Sequence, residues 1–287
     1  MKIAVVALRV LGFAALQAAV FMTAGGALFA GAQASDPPTD PGAALAALAG
    51  LCLGQGLAAT AYVARGPLDR TARMAAVFAV AFGAGTIVTQ IDTAYYLPEV
   101  GAGFLARVVA LGAITSVSAA ILAGLLFRTE PTLAAGRRPP APGPAGRAVR
   151  WSIFSLGHMA AYFVLGYWIV WVRPEARAYY DGAKLEPFLQ HMAGLAGDSP
   201  EIFLVQFVRG LVWAGIAELI FRTTRRSTRG AAVVATALFI AFSVLQLFMP
   251  NALMPAEIRM LHVVETGLTM VVLAALGAAL FGRRRAA

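Results

Sequence analysis

The sequence predicts an all-α polytopic membrane protein: eight transmembrane helices as two four-helix pseudo-repeats, with an outer amphipathic helix between spans 5 and 6. The 287-residue chain is 60% hydrophobic and 13% charged, whereas soluble domains average about 25% charged residues. Its mean hydropathy is +0.75. It contains eight apolar stretches near the roughly 20 residues that a spanning helix needs. They cover residues 8–32, 42–64, 74–97, 102–127, 151–172, 201–222, 230–249 and 257–281.

The positive charge of the chain indicates topology rather than a nucleic-acid partner. The formal net charge is +9, but the arginines are concentrated in the loops between apolar segments. The connections after spans 2, 4, 6 and 8 are rich in arginine, and those after spans 1, 3, 5 and 7 are acidic or mixed. The positive-inside rule then places both termini in the cytoplasm, and the expected location is the bacterial cytoplasmic membrane.

The N-terminus allows an alternative topology. Residues 32–34 have the small-x-small pattern of a signal-peptide cleavage site. The apolar run before them exceeds 20 residues, longer than the usual 7–15, which favours a retained span. Cleavage would leave seven spans and an outer N-terminus.

A linker divides the chain into two membrane units. Residues 128–150 contain RRPPAPGPAGR, which is too rich in proline and glycine to pack and predicts a flexible cytoplasmic segment. The first unit is 1–127 and the second is 151–287. A shift of 156 residues places Arg73 on Arg229 and Gln90 on Gln246, with nine matches over 73–97. Most matches are alanine or valine, so chance similarity remains an alternative to duplication.

The longest outer connection, 173–200, predicts a short amphipathic helix. Apolar residues recur there at helical spacing: Leu185, Phe188, Leu189, Met192 and Leu195. Such a helix would cover apolar surface at the level of the lipid, or act as a lid over a site.

Ionisable residues inside the spans are the main functional signal, because a charge at a helix centre costs about 2.5–3.5 kcal/mol on insertion scales. A rise of about 1.5 Å per residue places five of them in the outer leaflet, on four spans: Asp92, Arg107, Arg209, His262 and Glu265. Three rows each share one helix face: Arg259, His262 and Glu265; Gln206, Arg209 and Trp213; and Ser155, His158 and Tyr162.

These rows predict a ligand-binding site. Its candidate residues are Asp92, Arg107, Tyr162, Gln206, Arg209, Arg259, His262 and Glu265. The structural alternative is two buried ion pairs, Arg209 with Glu265 and Arg107 with Asp92, that only hold the bundle together.

No motif of metal or cofactor chemistry is present. The chain lacks HExxH, GxSxG, a P-loop and a Rossmann fingerprint, and its one cysteine, Cys52, cannot form a disulfide within the chain. We expect no metal and no cofactor, and assign no catalytic residue.

Three functions fit these observations. The leading hypothesis is a protein that carries or binds an anionic or lipidic small molecule, with Arg209 as the anion anchor and His262 with Glu265 as a protonatable pair. The second is a membrane-embedded enzyme acting on lipids. The third is an assembly subunit of a larger membrane complex. The expected partners are accordingly membrane lipids, an anionic molecule or lipid head group, or a membrane partner subunit.

Overall fold

The computed structural model describes residues 2–30, 40–64, 66, 68–127, 143–180, 182, 184–224, 227–251 and 253–282. Within these ranges it contains eight helices long and apolar enough to cross a membrane, which confirms the predicted number of spans and supports an integral, multi-pass membrane protein. The spans are Ile3–Leu28, Pro41–Val63, Arg70–Tyr96, Pro98–Leu126, Pro144–Trp171, Glu201–Thr223, Thr228–Phe248 and Ala256–Phe281, numbered 1 to 8 in that order. The proposed cleavage site at 32–34, linker residues 128–142 and the basic residues 283–285 lie outside the described residues.

Caps and prolines determine where several spans begin. The Asp40 carboxylate accepts the N–H of Gly42 at 2.8 Å before span 2, and Asp69 accepts the N–H of Ala72 at 2.8 Å at the start of span 3. Span 5 begins at Pro144, seven residues before the predicted start, because proline fits the first helical turn. Hydropathy placed the boundary later because Arg147 and Arg150, in the first two turns, lower the local average.

The spans alternate in direction, so the bundle has two distinct ends. At one end, Arg150 Nη1 donates to the carbonyl of Leu280 at 3.2 Å, which joins the start of span 5 to the end of span 8. We call it the terminal end, because the first and last spans also begin and end there. At the opposite, distal end, the Tyr95 hydroxyl donates to Glu201 at 3.1 Å, joining span 3 to span 6.

Spans 6 and 7 form the centre of the bundle. In their most apolar windows, 44% and 50% of residues are buried, against 22% in span 1. Spans 1, 2 and 4 pack against one another, and so do spans 5, 6 and 8. Span 3 packs against span 4, span 7 packs against span 8, and spans 3 and 7 also pack against each other. Each of them contacts one further span of the opposite half, span 3 on span 6 and span 7 on span 2.

Two π-helical segments meet where spans 3 and 7 pack together. They are Gly83–Ile87 and Ile240–Val244. A Cβ on Gly85 would lie 3.1 Å from the carbonyl oxygen of Phe242, so a glycine allows this close approach. A π-helical segment adds a residue to the turn and rotates the side chains that follow, here Thr89 and Asp92.

The connection between spans 5 and 6 contains two short helices, Pro174–Tyr179 and Phe188–Asp198. The second packs on span 5 through His191, whose ring stacks on Trp171 with centroids 4.6 Å apart. The Tyr167 hydroxyl donates to the carbonyl of Glu186. The helix predicted in this connection is therefore present, while its placement on a membrane surface stays a prediction.

Spans 5 and 6 approach closely at Gly210. A Cβ there would lie 2.6 Å from the backbone Cα of Ser155, and a backbone atom cannot move aside cheaply. This position belongs to the pattern of small residues that lets membrane helices approach each other.

We therefore predict that Gly210→Ala lowers stability by about 1–3 kcal/mol, the usual cost of overpacking. Thermal unfolding of the purified protein in mild detergent measures the loss. Gly267→Ala on span 8 is the matched control, since a Cβ there meets nothing within 4 Å, and its melting temperature should not fall. Equal melting temperatures for both variants would contradict the close packing of spans 5 and 6.

Candidate ligand-binding site

The central interaction near the distal end is a salt bridge between spans 6 and 3. Arg209 Nη2 lies 2.7 Å from Asp92 Oδ2, with the two side chains 12% and 27% exposed. Arg209 Nε also donates to the carbonyl oxygen of Val88 at 3.1 Å. Val88 is the first residue after the π-helical segment of span 3, so that segment positions both partners of Arg209.

Gln206 completes the pair from one turn earlier on span 6. Its side chain is fully buried. The amide oxygen accepts from Arg209 Nη1 at 2.6 Å, and the amide nitrogen donates to Asp92 Oδ1 at 3.4 Å. The Gln206 amide thus accepts a hydrogen bond from the Arg209 guanidinium and donates one to the Asp92 carboxylate, so both charged groups have a polar partner.

The predicted row on span 5 faces the same pair. The Tyr162 hydroxyl lies 2.6 Å from the hydroxyl of Tyr96, and the Arg209 guanidinium carbon lies 5.6 Å from the centroid of the Tyr162 ring, within cation–π range. His158 Nδ1 lies 3.2 Å from the carbonyl oxygen of Gln206. Ser155, the third member, donates to the carbonyl of Phe207.

Span 8 contributes a hydrogen-bonded chain. The Tyr180 hydroxyl lies 2.7 Å from His262 Nε2, and His262 Nδ1 lies 3.4 Å from Glu265 Oε2. The Thr266 hydroxyl donates to Glu265 Oε2 at 3.0 Å, and the Thr269 hydroxyl lies 3.2 Å from Oε1 and 3.0 Å from the backbone carbonyl oxygen of Glu265. Glu265 is buried, so these hydroxyl donors replace the water that would otherwise solvate its charge.

Tyr180 connects the two groups electrostatically. Burial raises the pKa of its hydroxyl above the usual range, and Tyr179, Tyr96, Asp92 and Glu265 raise it further. The carboxylates of spans 3 and 8 are therefore close enough to act on the same hydroxyl. A tyrosine with a raised pKa stays protonated, so its hydroxyl can donate to His262 Nε2, and in that tautomer the ring proton of His262 lies on Nδ1, facing Glu265.

We call this arrangement the distal polar site. It comprises Asp92, Tyr96, Tyr162, Tyr180, Gln206, Arg209, His262 and Glu265.

The observed ion pairs differ from those expected from the sequence. Arg209 pairs with Asp92 rather than Glu265, and Glu265 contacts His262. Arg107 lies exposed on span 4 and forms no ion pair within the part of the chain that the structure describes. Arg259 is buried at the first turn of span 8 and donates from Nη1 to the carbonyl of Met254 at 2.7 Å.

Some members of the site gave no local signal. Tyr180 approaches His262 from a connection 82 residues away, and no sequence pattern predicts that contact. The Val88 carbonyl belongs to the backbone and is equally invisible in sequence. Thr269 was findable, because it lies four residues after Glu265 on the same helix face.

A second polar cluster lies toward the terminal end. Glu218 of span 6 is buried and forms salt bridges with Arg222 at 2.6 Å and Arg147 at 3.4 Å. It also accepts from Trp151 Nε1 at 2.6 Å. This carboxylate has three donors within the bundle and is well compensated.

Over the described ranges, no group of three or more His, Cys, Asp or Glu side chains could hold a metal ion. The chain matches no protein-family model, no curated protein and no solved structure.

We predict that Gln206→Ala destabilises the protein by about 1–3 kcal/mol, because it leaves a buried donor of Arg209 and an acceptor of Asp92 without partners. Chemical unfolding in detergent measures the change. Gln190→Ala on the exposed face of the Phe188–Asp198 helix is the control, and we expect its effect to stay within about 0.5 kcal/mol. Should Gln206→Ala be as stable as the control, the bridging role of the amide would be wrong.

Proposed function

We propose that this chain is an integral membrane protein that carries or binds an anionic small molecule or lipid head group at the distal polar site. Arg209 and His262 with Glu265 supply the charge and the exchangeable protons. Buried ionisable groups in spanning helices are costly to insert, so a cluster of them drawn from several helices is typical of a functional site rather than of a scaffold.

The observation that carries this proposal is that polar side chains from several helices meet at one level of the bundle. Spans 3, 5, 6 and 8 and the connection before span 6 all contribute polar side chains to one level of the bundle, joined by the salt bridge of Arg209 with Asp92 and by the Tyr180–His262–Glu265 chain. A lone structural ion pair needs two helices. The additional histidine and tyrosines supply groups that can bind an anion or exchange a proton.

The charge of the loops supports an outward-facing site. In the sequence, the arginine-rich segments 65–73, 128–150, 222–229 and 283–285 adjoin span ends that lie at the terminal end of the bundle. By the positive-inside rule that end lies in the cytoplasm, with both chain termini, and the distal polar site lies in the outer leaflet of a bacterial cytoplasmic membrane.

The packing pattern supports a duplicated architecture. The contacts of spans 1, 2 and 4 recur among spans 5, 6 and 8, the contact of spans 3 and 4 recurs as that of 7 and 8, and the contact of spans 2 and 7 recurs as that of 6 and 3. The π-helical segments of spans 3 and 7 start 157 residues apart, at Gly83 and Ile240. Both four-helix units then have the same orientation, as in parallel-repeat transporters.

In this architecture only one of the two equivalent positions is charged. The shift of 156 residues places Leu53 of span 2 at the position of Arg209 and Phe248 of span 7 at that of Asp92. Leu53 packs against the apolar cluster of Ala14, Leu48 and Cys52. Among the described residues, the pair of Arg209 and Asp92 therefore has no charged counterpart at the equivalent position of the other half.

Native mass spectrometry of the protein released from mild detergent tests the function. We expect the wild type to retain a lipid or anionic solute that Arg209→Ala loses, while Arg173→Ala, which changes an exposed arginine at the same end, keeps it. The bound mass identifies the chemical class of the ligand.

A ligand-free mass for the wild type and both variants would contradict the proposal. It would favour purely structural ion pairing or an assembly subunit that has lost its partner, which co-purification of a stoichiometric membrane protein would then identify.

A second candidate, a membrane-embedded enzyme acting on lipids, is favoured by one specific observation. The Tyr180 hydroxyl, His262 and Glu265 form a hydrogen-bonded chain that could hold and move a proton at a reacting lipid. Because Tyr180 stays protonated, it would serve as a general acid. Lipid analysis of cells with and without the protein separates the two functions, since an enzyme changes covalent lipid structures and a carrier changes only their distribution.

A further inference from the structure

Arg259 differs from every other buried guanidinium in its surroundings. It is 9% exposed, and among the described residues its guanidinium makes one hydrogen bond, from Nη1 to the carbonyl of Met254 at 2.7 Å. Its Nε is buried without an acceptor. Among the described residues, no carboxylate lies within salt-bridge distance of it, although an arginine offers five donors.

The position of Arg259 in its own helix is also electrostatically unfavourable. Arg259 lies in the first turn of span 8, which begins at Ala256. A helix N-terminus carries a partial positive charge and N–H groups without helical acceptors. A cation in that turn is repelled, whereas an anion beside it would be attracted both by the guanidinium and by the helix end.

Arg209, unlike Arg259, has a carboxylate partner. Arg209 is neutralised by Asp92, hydrogen-bonded to Gln206 and bonded to the carbonyl of Val88. An anionic ligand can take Arg209 only by displacing the Asp92 carboxylate. At Arg259, among the described residues, it displaces no carboxylate.

We propose that Arg259 is the primary anchor of the anionic ligand and that the group it holds is a phosphate, carried by a lipid or free in solution. This inference rests on the function proposed above and moves its anion anchor from Arg209 to Arg259. The fork of the guanidinium matches two phosphate oxygens, and His262 lies one turn further on the same helix face, where the rest of the ligand would contact the distal polar site.

The depth of Arg259 fits a head group. It lies three residues into span 8, about 4.5 Å by helix rise, at the distal end of the bundle. Lipid phosphates occupy the zone just outside the hydrocarbon core, so a lipid of the surrounding leaflet or a dissolved phosphate can reach the guanidinium without crossing the bundle.

Thermal unfolding of the purified full-length protein in mild detergent tests the inference. The probes are inorganic phosphate and dihexanoylphosphatidic acid. We expect at least one probe to raise the melting temperature of the wild type by several degrees, because a ligand that binds only the folded state stabilises it. Arg259→Gln should lose this rise, and Arg173→Gln, at an exposed position of the same end, should retain it.

The variant without probe gives a second readout. If Arg259 serves a ligand, Arg259→Gln removes an uncompensated buried charge, and its melting temperature should equal or exceed that of the wild type. If Arg259 has a structural role instead, the same variant should unfold at a lower temperature, and the inference is overturned.

The responses to the two probes show which form of phosphate is bound. A response to inorganic phosphate supports the inference with a soluble ligand, and a response to dihexanoylphosphatidic acid alone supports it with a lipid ligand. No response of the wild type to either probe, or an undiminished response of Arg259→Gln, overturns it. A ligand that is lost in Arg209→Ala by native mass spectrometry, with no phosphate response here, would leave the proposed function standing without this anchor.

Discussion

The salt bridge between Arg209 and Asp92 is the interaction on which the rest of the polar structure depends. A lipid bilayer offers no water to solvate a charge, so ionisable groups in spanning helices must face one another inside the bundle. Arg209 lies on span 6, one of the two most buried spans, and its partner Asp92 lies on span 3, in the other half of the chain. Removing one partner leaves a buried charge without compensation, which costs far more than the intact pair contributes. The helices that contact this pair are therefore constrained in rotation and depth.

Several neighbouring features follow from that constraint. The π-helical segment Gly83–Ile87 rotates the end of span 3 so that the Val88 carbonyl and the Asp92 carboxylate face the same guanidinium. Tyr162 covers the guanidinium and is itself held by Tyr96. The positive charge of Arg209 is thus already balanced by the Asp92 carboxylate. Arg259 of span 8 differs in this respect, because its Nε is buried without an acceptor and, among the described residues, no carboxylate lies within salt-bridge distance of it.

The features that sequence predicts here are those governed by local pattern. Hydropathy found the eight spans, and helical periodicity placed Gln206 with Arg209 and His262 with Glu265 on shared faces, because both signals depend only on nearby residues. Partner choice was not predictable, since Arg209 could reach Asp92 or Glu265 depending on which spans pack together. The same limit explains Arg107, which has the depth of the other charged residues but lies on the exposed face of span 4. The contact of Tyr180 with His262 and the position of the Val88 carbonyl depend on tertiary packing, which no local pattern predicts.

A double-mutant cycle on Asp92 and Arg209 tests the account most directly. The free energy of unfolding in detergent is measured for the wild type, Asp92→Asn, Arg209→Gln and the double variant. We expect each single change to destabilise the protein strongly and the double variant to be more stable than the sum predicts, with a coupling energy of about 1–3 kcal/mol. Effects that add to within about 0.5 kcal/mol would show that the two side chains do not depend on each other, and the central constraint described above would be wrong.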